Sequence, residues 1–167
     1  MKMTEQPDFR RTFFTLFGVL LVALCGSRLT AAQDSKVVYY SGQQIESDIR
    51  KAPANGIGES EINLIERTPQ HAGILLRRTK PGKAEVHTTE ADVWYVIDGG
   101  CVLVTGGTVI MGKQESVGQI RGTGISGGTE YKLGKGDFIR IPAGVPHWIK
   151  NIEGGELVYI VVKYTDK

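Results

Sequence analysis

A histidine at the end of a stiffened turn, and a glutamate and a histidine two residues apart upstream, are where this chain can do chemistry. The stretch Gly136 to Asn151 reads G-D-F-I-R-I-P-A-G-V-P-H-W-I-K-N. Phe138, Ile139 and Ile141 form an apolar, β-prone run. Pro142-Ala143-Gly144 then makes a turn, in which proline presets φ and glycine takes a positive one. Pro146 stiffens the backbone directly before His147, so that this imidazole is aimed, and a metal ion inside a barrel is the expected target. Upstream, Glu85 and His87 lie at i and i+2 of a strand-like run, Ala84 to Thr88, and so share one face.

The rest of the chain must position these groups, and it reads as short strands joined by turns. The 167 residues hold 22 Gly and 6 Pro with 41% hydrophobic residues, a turn-rich β composition large enough for one core. Lys36 to Tyr40 is expected to be a strand. Ser41 followed by Gln44 has capping-box spacing, and Ile45 and Ile49 share a face, which predicts a short helix through about Lys51. Strands are expected at 61–67, 71–79, 84–88, 93–97 and 101–105, with Asp98-Gly99-Gly100 closing a hairpin. Residues 108–130 are rich in glycine and poor in apolar residues. They read as an extended insertion with one or two short strands, serving as a lid or pocket wall or only as decoration. A last strong strand runs from Glu156 to Tyr164. This is an all-β pattern, an antiparallel jelly-roll barrel or sandwich with one short N-terminal helix.

The first 32 residues are of another kind. Lys2, Arg10 and Arg11 precede an apolar run from Phe13 to Leu24, and Thr30-Ala31-Ala32 offers a cleavage site. The run is shorter than the roughly 20 residues a spanning helix needs, so a signal peptide over 1–32 and a domain over 33–167 are expected. An uncleaved N-terminal anchor is the other reading. Arg10-Arg11-Thr12-Phe13-Phe14 resembles a twin-arginine signal, with Phe9 standing where Ser or Thr is usual; ordinary unfolded export fits as well. Either route delivers the protein to the periplasm or the exterior, with no stable membrane span after cleavage. The leader carries four of the 20 bases and two of the 18 acids, leaving 16 of each and a net charge of zero. No basic run interleaved with aromatics remains, which excludes a nucleic-acid binder of the usual kind. Cys25 leaves with the leader, so Cys101 cannot form an internal disulfide and is expected inside a strand.

Gly136, Pro142, Gly144, His147 and Asn151 meet the spacing Gly-x5-Pro-x-Gly-x2-His-x3-Asn, and on these residues the chain resembles a small single-domain cupin. The first motif of that family is approximated by Glu85-Val86-His87, then Asp92, then Gly99, with Tyr95-Val96-Ile97 between. Glu85 stands where the family has its first histidine and Asp92 where it has glutamate. The resemblance covers about residues 84–164. It implies a barrel in which His87, His147, Asp92 and Glu85 ligate a divalent transition metal: Mn, Fe, Zn, Co or Ni. Two imidazoles and two carboxylates form a mixed nitrogen–oxygen set suited to those ions and unsuited to a thiolate-type site. Glu85 is alternatively a general base. Trp94 shares strand parity with Asp92 and is expected in the pocket, while Trp148 is expected outside the barrel or at an interface. One of Arg77 and Arg78 points inward, Arg78 being the pocket candidate, and an inward arginine suits a carboxylate-bearing substrate. Tyr131 is a further pocket residue. His71 lies outside both motifs and is expected at the surface.

Three functions follow from this. The first is a metal enzyme acting on a small oxygenated molecule, as an oxygenase, isomerase or lyase. The second is a barrel that binds a small ligand without turnover, and the third is a metal-free structural or partner-binding cupin. The resemblance also implies a homodimer, with Lys36 to Tyr40 as the pairing segment. For export by the twin-arginine route, Arg10-Arg11→Lys-Lys is expected to block secretion, read by immunoblot of cell and exported fractions; unchanged secretion rules that route out.

Overall fold

The computed structural model describes residues 37–166. The expected leader over 1–32 therefore lies outside the described residues. Ser41 accepts from the backbone N–H of Gln44, and the Gln44 side chain accepts from the Ser41 N–H, closing both halves of a capping box. It starts helix α1, Gly42–Lys51, as the spacing predicts. Among the described residues eleven strands follow: β1 Glu59–Ile65, β2 His71–Arg78, β3 Ala84–His87, β4 Glu90–Thr105, β5 Thr108–Ile110, β6 Lys113–Ser116, β7 Gln119–Gly122, β8 Gly124–Ser126, β9 Thr129–Gly134, β10 Phe138–Ile141 and β11 His147–Thr165. Every pairing is antiparallel. One sheet runs β1-β2-β11-β3-β7-β6, with β4 joining β11, β9 and β10, and β5 pairs β8 apart from it. The fold is the expected antiparallel jelly-roll barrel, with one short helix among the described residues. Within them, no helix is long and apolar enough to cross a membrane.

The strands alternate cleanly because each side chain faces away from its neighbour. Ala72, Ile74 and Leu76 of β2 point into the barrel with Trp94, Leu103, Leu157, Tyr159 and Val161. Leu75 points the other way, onto Ile49 of α1 and Val158. The helix thus closes the outer face of the sheet. Cys101 lies buried in the barrel core, where burial pushes its thiol up to about 12, so that it packs as an apolar residue.

Three expectations change. Asp98-Gly99-Gly100 does not close a hairpin. β4 runs through it as one strand of 16 residues. Gly99 takes a φ of +70° there, opposite an irregular step in β11 between Glu153 and Leu157, and the long strand turns a corner. Residues 108–130 hold four strands, β5 to β8, and the first residues of β9. β5 to β8 are three or four residues long, β6 is exposed throughout and β7 carries polar residues at half-buried positions, so no period-two apolar pattern marks them, although Val109 and Ile125 pack toward Ala84 and Val104. Residues 37–40 form no strand. Their β-prone side chains find no neighbouring strand to complete the backbone hydrogen bonds.

A Cβ on Gly99 would come within 1.9 Å of the Glu156 carbonyl oxygen, whereas one on Gly144 (φ +77°) meets open space. Gly99→Ala is expected to destabilise the domain by roughly 3 kcal/mol or more, and Gly144→Ala by about 1 kcal/mol. Urea midpoints that are equal for the two variants contradict the corner.

Candidate metal centre

The two ligand motifs meet where β11 begins. His147 pairs across from Glu85 on one side and Thr105 on the other. Its Nε2 then lies 3.9 Å from a Glu85 carboxylate oxygen and 3.7 Å from Asp92 Oδ2. His87 Nε2 lies 3.4 Å from Glu85 and 3.6 Å from Asp92. The two imidazole centroids are 5.1 Å apart. Glu85, His87 and His147 each bring one donor atom to within 4.8 Å of the others, a spread that a single ion can bridge. Asp92 faces both histidines through Oδ2, which also accepts from Trp94 Nε1 at 3.4 Å. Its Oδ1 accepts from Lys163 Nζ at 2.6 Å.

The outer nitrogens settle the tautomers. His147 Nδ1–H donates to the Val145 carbonyl at 3.2 Å, and His87 Nδ1–H donates to Gln119 Oε1. Both Nε2 atoms therefore carry lone pairs toward the centre. Among the described residues, two buried side-chain polar atoms make no hydrogen bond. One is Glu59 Oε2, which is ion-paired with Arg78, and the other is His147 Nε2. A buried imidazole nitrogen left without a partner is costly unless an electrophile completes it.

The glycine-rich insertion supplies what orients the ligands. β7 pairs β3 so that Gln119 faces His87 and Arg121 faces Glu85. Gln119 is held in turn by Arg121 at 3.2 Å and donates to Glu90 at 3.1 Å. The Arg121 guanidinium stands 3.4 Å from Glu85. Burial alone would raise the Glu85 carboxyl, but in the acid range where it titrates a hydrogen bond from protonated His87, the Arg121 guanidinium and the charge of protonated His147 outweigh burial and hold it down at about 2. Burial holds His147 below its ordinary value, against the pull of Asp92 and Glu85, and keeps it neutral. An ionised carboxylate and a neutral imidazole are the forms that bind metal.

The other expected residues fall as follows. Trp94 lines a small cavity of about 50 Å³ beside His147, edge-on to that ring with centroids 6.0 Å apart. Arg78 lines it too, donating to the Tyr159 hydroxyl at 3.0 Å and paired with Glu59 in a shielded ion pair. Arg77 pairs instead with Glu156. Tyr131 is not on this cavity. It sits half-exposed on β9, and at that register its ring borders a shallow depression with Thr105 and Pro142. Trp148 packs on the outer cluster of Ala84, Val104 and Ile125, as its parity requires, yet its edge also reaches the cavity. His71 is exposed beside Thr68. Sequence reasoning missed Gln119, Arg121 and Lys163. Lys163 had a signal: it continues the inward parity of Leu157, Tyr159 and Val161, a charge where an apolar residue is due.

Residues 118–163 match the family model of the cupin domain, a span that holds His147, Gln119 and Lys163 but not Glu85, His87 or Asp92. Solved structures share the barrel. The barrel is a cupin fold. The cupin domain of Schizosaccharomyces pombe Cnp3 is 14% identical, with a TM-score of 0.54 over 78% of this chain and 76% of that one. The protein TT1209 from Thermus thermophilus is 19% identical, at 0.52 over 78% and 100%. KdgF from a Halomonas species is 11% identical, at 0.53 over 80% and 96%. No curated protein sequence matches the chain.

In metal-free protein the two ligands give separate pH signatures. Glu85 is more acidic folded than unfolded, so its contribution is whole above pH 4.5 and is lost as pH falls toward 2. His147 resists a proton that the unfolded chain accepts, so stability also declines as pH drops below 6.5. Urea midpoints against pH are expected to be flatter for Glu85→Gln in the lower window and for His147→Gln in the upper one. Slopes identical to wild type overturn these assignments.

Proposed function

We propose that this cupin is an exported protein whose barrel holds a divalent transition metal on Glu85, His87 and His147, and which binds or acts on a small oxygenated molecule in the adjoining cavity. The observation that carries the reading is the buried His147 Nε2, which has no partner and converges with His87 Nε2 and a Glu85 oxygen. The donor set is two imidazoles and one or two carboxylates, hard enough to favour Mn or Fe slightly over Zn, Co or Ni. Such an ion would supply Lewis-acid polarisation of a carbonyl oxygen or a redox centre.

The chain's own groups would do the rest. Trp94 and Trp148 give the cavity flat apolar walls, and Arg78 adds a cation that suits a carboxylate-bearing molecule. Tyr159 and Glu59 hold that guanidinium in place. A carboxyl held near 2 accepts protons poorly at neutral pH, so Glu85 serves better as ligand than as general base. Export rests on the leader over 1–32, and pairing with a second copy rests on the exposed Val37 and Tyr39. A second reading, a ligand-binding barrel without metal, is favoured by one observation: Lys163 Nζ lies 2.9 Å from His87 Nε2 and offers that nitrogen a different partner.

Metal analysis of purified protein after reconstitution with Mn, Fe, Zn, Co or Ni decides between them. Stoichiometric metal in wild type and its loss in His147→Ala are expected. An empty wild-type site sinks the metal reading.

A further inference from the structure

We infer that Lys163 is a built-in competitor for the metal position, a resident cation that caps His87 and engages Asp92 until an ion displaces it. The inference rests on the metal reading above. Lys163 and Asp92 are cross-strand partners in the β4–β11 ladder, which brings their side chains to one face. The ammonium donates to Asp92 Oδ1 at 2.6 Å and to His87 Nε2 at 2.9 Å. Gln119 takes the proton-bearing Nδ1 of His87, so Nε2 has a single lone pair, and Lys163 stands on it. A metal needs that same lone pair.

The two imidazoles are thus unequal. His147 Nε2 is open, whereas His87 Nε2 is already capped. Charge gives the same answer. Glu85 and Asp92 are balanced by Arg121 and Lys163 around the cluster. Adding a divalent ion with the ammonium still in place would set a dication and a cation a few ångströms apart, in a site shielded from water. Binding therefore requires Lys163 to withdraw. It has somewhere to go, because it also borders a second, open cavity that His87 lines, where Glu90 offers a carboxylate although Arg67 and Arg121 share the wall. Withdrawal also releases Asp92 Oδ1. Asp92 is then the ion pair's acid in the free protein, and its Oδ2, which already faces both histidines, is freed of the competing cation once the lysine has left. Lys163 is a positioning residue that sets affinity, not a ligand.

The test is a Co²⁺ titration followed by visible absorption and by competition with a chromogenic chelator. Wild type, Lys163→Met and His147→Ala are compared, with folding checked by circular dichroism. Lys163→Gln replaces Lys163→Met should the latter fail to fold. Removing the competing charge is expected to tighten Co²⁺ binding by roughly tenfold or more, an effect opposite to that of simple structural damage. His147→Ala is expected to abolish it. Tight binding in the lysine variant with none in wild type upholds the inference while refuting the metal reading for the native protein. Binding in wild type that the lysine variant does not tighten overturns the inference and leaves the metal reading standing. Absence of binding in both overturns both.

Discussion

The register between β4 and β11 is the constraint on which the rest of this barrel depends. These are its two longest strands, and their ladder sets Asp92 against Lys163, Trp94 against Val161, and His147 against Thr105. A strand's side chains alternate, so a slip of one residue would send Lys163 out to solvent, bring Val162 inward and turn His147 away from Glu85. Nothing in one strand alone prevents that slip. What prevents it is the corner at Gly99, which admits no Cβ against the Glu156 carbonyl, together with the irregular steps in β11 opposite it. The corner divides the ladder into two segments whose registers are fixed separately. It also lets one pair of strands serve both the wall that carries Trp94 and the rim that carries His147.

With that register in place, a cluster of charges can be tolerated inside an apolar barrel. Burying one carboxylate beside Leu76, Trp94 and Val161 would be prohibitive alone. Here two acids meet two bases, and each acid oxygen aimed at the centre has a donor or an imidazole nearby. The same surroundings act on Glu85 and His147 in opposite chemical senses. The Arg121 guanidinium beside Glu85 favours its ionised form despite burial, and burial keeps His147 neutral despite two carboxylates. The outcome is a set of lone pairs, which is what a Lewis acid requires and what an apolar core would otherwise eliminate.

Much of this was legible in the chain. Two-residue spacing puts Glu85 and His87 on one face whatever the fold. Pro142, Gly144 and Pro146 define the turn that aims His147, and Ser41 with Gln44 starts the helix. These are local facts, set by φ, by strand alternation and by capping geometry. The misreadings are equally physical. Asp98-Gly99-Gly100 has the composition of a hairpin, but composition does not distinguish a strand that reverses from one that bends while still paired on both sides. Residues 37–40 have strand propensity without a partner, and propensity cannot supply one.

The insertion shows most clearly where local reasoning ends. Residues 108–130 lack an apolar stripe because β5 to β8 are only three or four residues long and Val109 and Ile125 are their few packed apolar residues, so the usual sign of a strand is missing. Gln119 and Arg121 look there like ordinary polar loop residues. Only the pairing of β7 with β3 sets one opposite His87 and the other opposite Glu85, and that pairing joins segments more than thirty residues apart. A motif read along the chain records which residues can be ligands. Whether each donor is protonated, oriented or already occupied is decided by the strands alongside, and here those strands carry a glutamine, an arginine and a lysine. Lys163 was the one of the three with a sequence signal, since its parity continues a buried stripe. An inward charge at the end of an apolar strand therefore indicates what neutralises a site as surely as a His-containing motif indicates what forms it.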